Sequence, residues 1–275
     1  MTGVPTDPPR APQRALLRPP SLRLAEGLVT HIDRVPVDVD RAVLQWHDYR
    51  AALQAAGWEC TLVPEAPDCP DSVFVEDAVV MVGGLAVLTR PGAPSRRGET
   101  AGVAQSLREL GYPVLAMSGP GTLDGGDVLK VGRTVYVGRG GRTDSAGLAE
   151  FRRLVEPSGY TVIGVPVTKV LHLKSAVTAL PDSTIVGYPS MVDDPSFFPH
   201  FRPVPEESGS HVVDLGDDRL LIAASAPRTA ELLSELGYTP VPVDISEFES
   251  LEGCVTCLSV RLRREPEFGR PGAPG

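Results

Sequence analysis

A thiol, an imidazole and several carboxylates are the groups in this chain whose chemistry needs explaining. Cys257 stands in Glu252-Gly-Cys-Val-Thr-Cys-Leu-Ser259, His172 in His172-Leu-Lys-Ser175, and Asp124 in Leu123-Asp-Gly-Gly-Asp-Val128. A thiolate is the strongest nucleophile a protein readily offers near neutral pH, and an imidazole backed by a carboxylate can serve it as acid and base. Each residue also has a commoner reading: an inert buried thiol, a structural histidine, an aspartate that caps a turn. Widely separated in sequence, they form a site only if the fold gathers them.

The elements that would do so show an internal repeat. Gly57-Trp-Glu-Cys-Thr-Leu-Val63, Gly111-Tyr-Pro-Val-Leu115, Gly159-Tyr-Thr-Val-Ile163 and Gly237-Tyr-Thr-Pro-Val241 share one pattern. Each follows apolar residues at helical spacing: Val43, Trp46 and Leu53; Val103, Leu107 and Leu110; Leu148, Phe151, Leu154 and Val155; Ala230, Leu233 and Leu236. The glycine falls where a helix C-cap is expected. Hairpin turns are expected at Gly83-Gly84, Gly132-Arg133, Pro181-Asp182 and Asp217-Asp218. The unit is therefore strand, strand, helix, strand. A wide gap between Gly159 and Gly237 fits a further unit whose helix has become a loop containing Pro189, Pro195, Pro199, Pro203 and Pro205.

The first unit, starting at Ala15-Leu-Leu-Arg18, lacks its leading strand, and Thr256–Leu262 reads as a leading strand with no helix after it. Pairing the two closes a ring and protects sheet edges. The expected fold class is α/β, a five-bladed pseudo-symmetric propeller of ββαβ units. Leading strands then line the axis, and their first residues meet at one mouth: Glu76 with Asp77, Asp124 with Asp127, His172 with Ser175, His211, and Cys254 with Cys257. His211 has no chemical partner nearby in sequence and reads as structural.

Composition narrows the function classes. Hydrophobic content of 42% and charged content of 22% suit a globular protein with a substantial core. The 28 prolines exceed the usual share of about 5%, which suits many short strands. A net charge of −9 argues against nucleic acid as a partner. The apolar run Ala78 to Leu88 is too short to span a bilayer, and the N-terminus lacks a signal-peptide core, so a cytoplasmic location without membrane association is expected. Cys60, Cys69, Cys254 and Cys257 are expected to be reduced. The C-x-x-C of Cys254 and Cys257 has no second such pair, which argues against zinc or redox use.

Arg96-Arg97 and Arg142 lie in corresponding loops of successive repeats, where they could clamp a carboxylate. Acids on one side and arginines on the other suit an amino acid with a cationic side chain. A guanidinium held by Asp77 would offer the thiolate an electron-poor carbon.

Five blocks together resemble one family. Pro70-Asp-Ser-Val-Phe-Val-Glu-Asp77, Thr89-Arg-Pro-Gly-Ala-Pro-Ser-Arg-Arg97, Thr122-Leu-Asp-Gly-Gly-Asp127, Leu171-His-Leu-Lys-Ser175 and Thr256-Cys-Leu-Ser259 are similar to motifs of the dimethylarginine dimethylaminohydrolases. The resemblance spans roughly residues 14 to 263, expected as a single catalytic domain between disordered tails at 1–13 and 264–275. It implies the five-bladed propeller of guanidine-modifying enzymes, and hydrolysis of methylated arginine to citrulline without cofactor or metal. A covalent thiouronium on the cysteine is implied as intermediate. It casts Cys257 as nucleophile, His172 as general acid and base, and Asp124 as the carboxylate that orients the histidine. Asp71, Glu76 and Asp77 would contact the substrate cation, Arg96 and Arg142 its carboxylate, with Ser175, Leu251 and Glu252 also at the substrate. Glu252 stands where the family often has aspartate, and Leu258 replaces a second cysteine found in some members. A lid is expected within Leu22–His31, and a monomer or homodimer with a small-molecule partner. The competing readings are an arginine deiminase, which needs an additional helical insertion, and a non-catalytic ring that binds a partner.

Overall fold

The computed structural model describes residues 13–262, and almost all of both expected disordered tails lies outside them. Five three-stranded sheets follow one plan, in which a leading strand runs antiparallel to a middle strand and the middle strand parallel to a closing one. In the first, Val79–Val82 pairs with Leu85–Leu88, and that with Val114–Ala116. The second is Val128–Val131, Thr134–Arg139 and Thr161–Pro166. The third is Val177–Ala179, Ile185–Gly187 and Phe201–Pro203, the fourth Val212–Gly216, Arg219–Ala223 and Thr239–Val243. In the fifth, Val260–Leu262 lies antiparallel to Arg14–Leu17, which runs parallel to Glu59–Leu62. The last strand thus seals the ring against the first, as the repeat predicts.

Helices Val39–Ala55, Thr100–Glu109, Ser145–Val155 and Pro227–Glu235 join middle to closing strands in four of the units. In the third unit two 3-10 turns, Pro189–Met191 and Pro195–Phe197, stand in their place; each opens on a proline, which suits a first turn and not a helix interior. Gly57, Gly111, Gly159 and Gly237 adopt φ of 89°, 81°, 83° and 91°, the left-handed conformation that ends a helix. Leading and middle strands are mostly buried and closing strands less so: all of Val79–Val82 is inside, whereas the closing strand Glu59–Leu62 is largely solvated. Core clusters fill the spaces between blades, and Val260 and Leu262 pack there with Val79 and Met81.

One expectation is corrected. The residues placed at strand starts sit in single helical turns just before them: Val75–Ala78, Gly125–Asp127, Leu173–Ala176 and Ser208–Ser210. Cys257 follows suit. Its strand is only Val260–Leu262, and its N–H closes a turn onto the Cys254 carbonyl at 3.0 Å. A strand would send successive side chains to opposite faces, while a helical turn brings residues i and i+3 together. That spacing recurs in Asp124 and Asp127, His172 and Ser175, and Cys254 and Cys257.

Candidate active site

The turn bearing Cys257 is fastened on both flanks. Tyr49, from the long first helix, donates its hydroxyl to the Val255 carbonyl at 2.8 Å and lies 2.8 Å from the Ser259 hydroxyl. The Thr256 hydroxyl donates to Glu76 at 2.9 Å, and the Glu76 N–H to the Cys257 carbonyl at 3.2 Å. Glu76 also pairs with Lys174 at 2.6 Å and Arg261 at 2.8 Å. A buried carboxylate needs such partners. Glu76, expected at the substrate, instead braces the cysteine's turn and is not among the residues lining the pocket.

His172 caps the turn Leu173–Ala176. That turn is tied down by Asp127, which accepts the Leu173 N–H at 2.9 Å and the Thr143 hydroxyl at 2.6 Å. The sequence brought Asp127 to the mouth without a role, and its spacing from Asp124 is the only signal it offers. Burial lifts its carboxyl to about 6. Asp124, wholly buried, lies 2.9 Å from His172 Nε2 and accepts the Gly92 N–H at 2.8 Å. On the other side of the ring, Asp77 stands 3.8 Å from His172 Nδ1 and accepts the Gly126 N–H at 2.8 Å. A side chain on Gly126 has no space, since its Cβ would meet His172 Nδ1 at 2.6 Å and Asp77 Oδ1 at 2.7 Å.

Burial alone would lower the imidazole's pKa, but Asp77 and the hydrogen bond to Asp124 outweigh it and hold His172 at about 9. Burial likewise works against the Asp77 charge, and His172 and Arg96 overcome it, leaving the carboxyl at about 2. His172 is therefore an imidazolium between two carboxylates at neutral pH. Among the described residues, Asp77, Asp124 and His172 are the one group whose atoms, within 4.8 Å of one another, could ligate a metal. An imidazole that keeps its proton at neutral pH offers no lone pair to a metal ion, which disfavours a metal there.

The two arginines line the pocket with different partners. Arg96 is spent inside the protein, with Asp77 at 2.6 Å, Glu99 at 2.9 Å through two N–H groups, and the Asp71 and Phe74 carbonyls at 3.2 and 3.1 Å. It lines the pocket while bracing Asp77. Arg142 lines the same pocket with its Nη1 buried and without a hydrogen-bond partner; that atom lies 4.0 Å from Asp124.

Cys257 also faces this pocket, and its Sγ lies 3.3 Å from that of Cys254 behind it. The two thiols share a hydrogen bond, which lowers Cys254 and raises Cys257; burial, the Cys254 charge, Glu76 and Asp77 raise Cys257 further. The pair thus shares one negative charge more readily than either buried thiol would carry it alone. His211 also favours that charge. Its Nε2 meets the Ser175 backbone carbonyl at 2.7 Å. Ser175, expected beside the substrate, is not among the pocket-lining residues and contributes this carbonyl to a neighbouring blade.

The remaining candidates hold the lid. Asp71 accepts the Leu28 N–H at 2.9 Å. Glu252 accepts the Thr30 N–H at 2.6 Å, the Thr30 hydroxyl at 3.0 Å and the His31 N–H at 2.8 Å. It does so from a φ of 60°, where a non-glycine residue is strained. Asp71, Leu251 and Glu252 all line the pocket, as does Leu28 of the lid. The free volume is about 10 Å³, room for a single water.

With this geometry in hand, likeness to known proteins can be weighed. The family described as N,N dimethylarginine dimethylhydrolase, eukaryotic, matches residues 34–220. The N(G),N(G)-dimethylarginine dimethylaminohydrolase of Streptomyces coelicolor is 64% identical over 91% of this chain and 97% of its own. The chain belongs to the dimethylarginine dimethylaminohydrolase family. The enzyme of that name from Pseudomonas aeruginosa is 35% identical over 90% of this chain and 98% of its own. A solved dimethylarginine dimethylaminohydrolase, a histidine-to-glycine variant in an adduct with S-methyl-L-thiocitrulline, superposes with a TM-score of 0.85 at 32% identity, covering 92% of this chain and 100% of that one. A cysteine-to-serine variant from Pseudomonas aeruginosa complexed with citrulline gives 0.85 at 33% identity, over 91% and 99%. The fold extends beyond the dimethylarginine dimethylaminohydrolases, since the N-terminal domain of a cyanobacterial arginine dihydrolase gives 0.79 at 21% identity over 91% of this chain and 98% of its own.

Proposed function

We propose that this protein hydrolyses Nω-methylated arginines to citrulline and dimethylamine or methylamine, through a covalent intermediate on Cys257. The observation that carries the reading is a single pocket lined by a thiol, a protonated imidazole, a carboxylate for a cation, and an arginine with a free N–H. Asp77 binds the substrate guanidinium, and Arg142 Nη1 receives the substrate carboxylate.

The chemistry follows from the charges. A bound guanidinium offsets Asp77 and draws the shared negative charge from Cys254 to Cys257, the proton passing the other way. The Cys257 thiolate adds to the guanidinium carbon. His172, charged before the reaction and steadied by Asp124, gives its proton to the departing amine as the carbon–nitrogen bond breaks. A thiouronium remains on Cys257. The imidazole, now neutral, takes a proton from water as its oxygen adds to the same carbon. Collapse expels the Cys257 thiolate and leaves citrulline. The sum is one methylated arginine and one water in, citrulline and one amine out.

The test offers dimethylarginine, monomethylarginine, arginine and agmatine, and measures citrulline or its decarboxylated analogue. Methylated substrates should be turned over best, and acid-quenched protein should carry the adduct on the peptide containing Cys257. Preference for arginine would transfer the chain to the deiminase reading. If folded protein turned over no guanidine at all, the catalytic reading would fall.

A further inference from the structure

The C-x-x-C pair has no counterpart in the reaction's bond-making, yet its sulfurs lie 3.3 Å apart within one turn. A disulfide needs about 2.05 Å between sulfurs, so a modest adjustment of that turn would join them. Access is unequal. Cys257 faces the pocket, whereas Cys254 is 2% exposed and is not among the pocket's lining residues. Neither Cys60 nor Cys69 is bonded to it, and all four cysteines are free thiols.

We propose that Cys254 is the resolving thiol of an oxidative modification site, forming a reversible disulfide with Cys257 when a hydroperoxide reaches the substrate pocket. The Cys257 thiolate attacks the peroxide's oxygen; the O–O bond breaks, and the other oxygen leaves as water or alcohol after taking up a proton. Cys257 is then a sulfenic acid. Cys254 attacks that sulfur, the S–O bond breaks, and hydroxide leaves as water with the Cys254 proton. Two thiols and one peroxide give one disulfide, one water and one water or alcohol. The Cys257 thiolate is the same species that acts as nucleophile in the proposed hydrolysis. Without a neighbouring thiol, a sulfenic acid is open to further oxidation to sulfinic acid, which thiols do not reduce. Cys254 would thus hold the oxidised nucleophile in a recoverable form.

Disulfide formation is read by mass and does not depend on the catalytic assignment; only its coupling to activity rests on Cys257 as nucleophile. The experiment treats full-length protein with graded hydrogen peroxide, then measures intact mass, maps the peptide carrying both cysteines, and assays activity before and after dithiothreitol. Wild type should lose two hydrogens per molecule, link Cys254 to Cys257, lose activity in step, and recover it fully on reduction. Cys254→Ser and Cys254→Ala, each compared with its own untreated activity, should gain oxygens on Cys257 and remain inactive after reduction. Wild-type protein inactivated with Cys254 still a free thiol would overturn the proposal. So would both thiols resisting peroxide, or variants that recover as fully as wild type. A Cys254–Cys257 disulfide in fully active protein would keep the modification and remove Cys257 as nucleophile.

Discussion

Charge placement decides what single residues contribute. The folded pKa of His172 lies above its ordinary value of 6.5, so the ionic stabilisation it brings is complete below 6.5 and is lost as pH rises through about 9. In the proposed reaction the same proton is the one delivered to the leaving amine. Accordingly kcat/KM should fall above about 9, and the imidazole should titrate there when followed by NMR. Arg142→Gln should raise KM far more than it lowers kcat. A charged hydrogen bond of about 1.5–3 kcal/mol corresponds to roughly 10- to 100-fold, and steady-state kinetics on dimethylarginine would give the split. Cys257, His172 and Asp124 were legible in sequence because their residue types state their chemistry. Glu76, Arg96 and Ser175 have protein partners in the structure that their residue types did not disclose. A charged side chain near a site can serve the ligand or another buried charge, and Lys174 and Arg261 are partners of Glu76 that spacing along the chain does not reveal.

Among the elements, single helical turns and the lid do the positioning. Turns ahead of leading strands carry Asp77 and are preceded directly by Asp124 and His172, and the hydrogen bond donated by Tyr49 and the one accepted by Asp127 keep two turns at the site in place. The lid is held by carboxylates, so its opening should depend on them. In Glu252→Ala, amide exchange at Thr30 and His31 should speed by about tenfold, equivalent to roughly 1.4 kcal/mol of local opening. Unchanged exchange at those two amides would show that Glu252 does not latch the lid. The residue's anomaly against the family motif was visible in sequence. Its partners were not, because Glu252 and Thr30 meet only after the ring has closed. The turns themselves were read as strand beginnings, since a single turn is too short to display periodicity.

At the scale of the molecule, closure joins stability to catalysis. Ending the chain at Ser259 keeps Cys257 but removes the strand Val260–Leu262, whose Val260 and Leu262 are buried. Losing two such side chains costs about 3–6 kcal/mol, a large share of the roughly 5–15 kcal/mol that domains possess. Denaturant midpoints should drop accordingly, and activity should fall with the folded fraction; an unshifted midpoint would mean the seal is dispensable. The ring was the most legible feature of the sequence, because its glycines, hairpins and unpaired first and last strands repeat one local grammar. The third unit's missing helix was legible too, in prolines that cannot continue one. Closure also leaves Arg14 opposite Leu262. The first and last described strands are therefore a seam and not a boundary, and the linear order of aspartate, histidine and cysteine is an accident of where the circle was cut. A circular permutant that links the present ends and opens between Pro189 and Phe197 should keep its turnover, with the nucleophile now preceding both its partners along the chain.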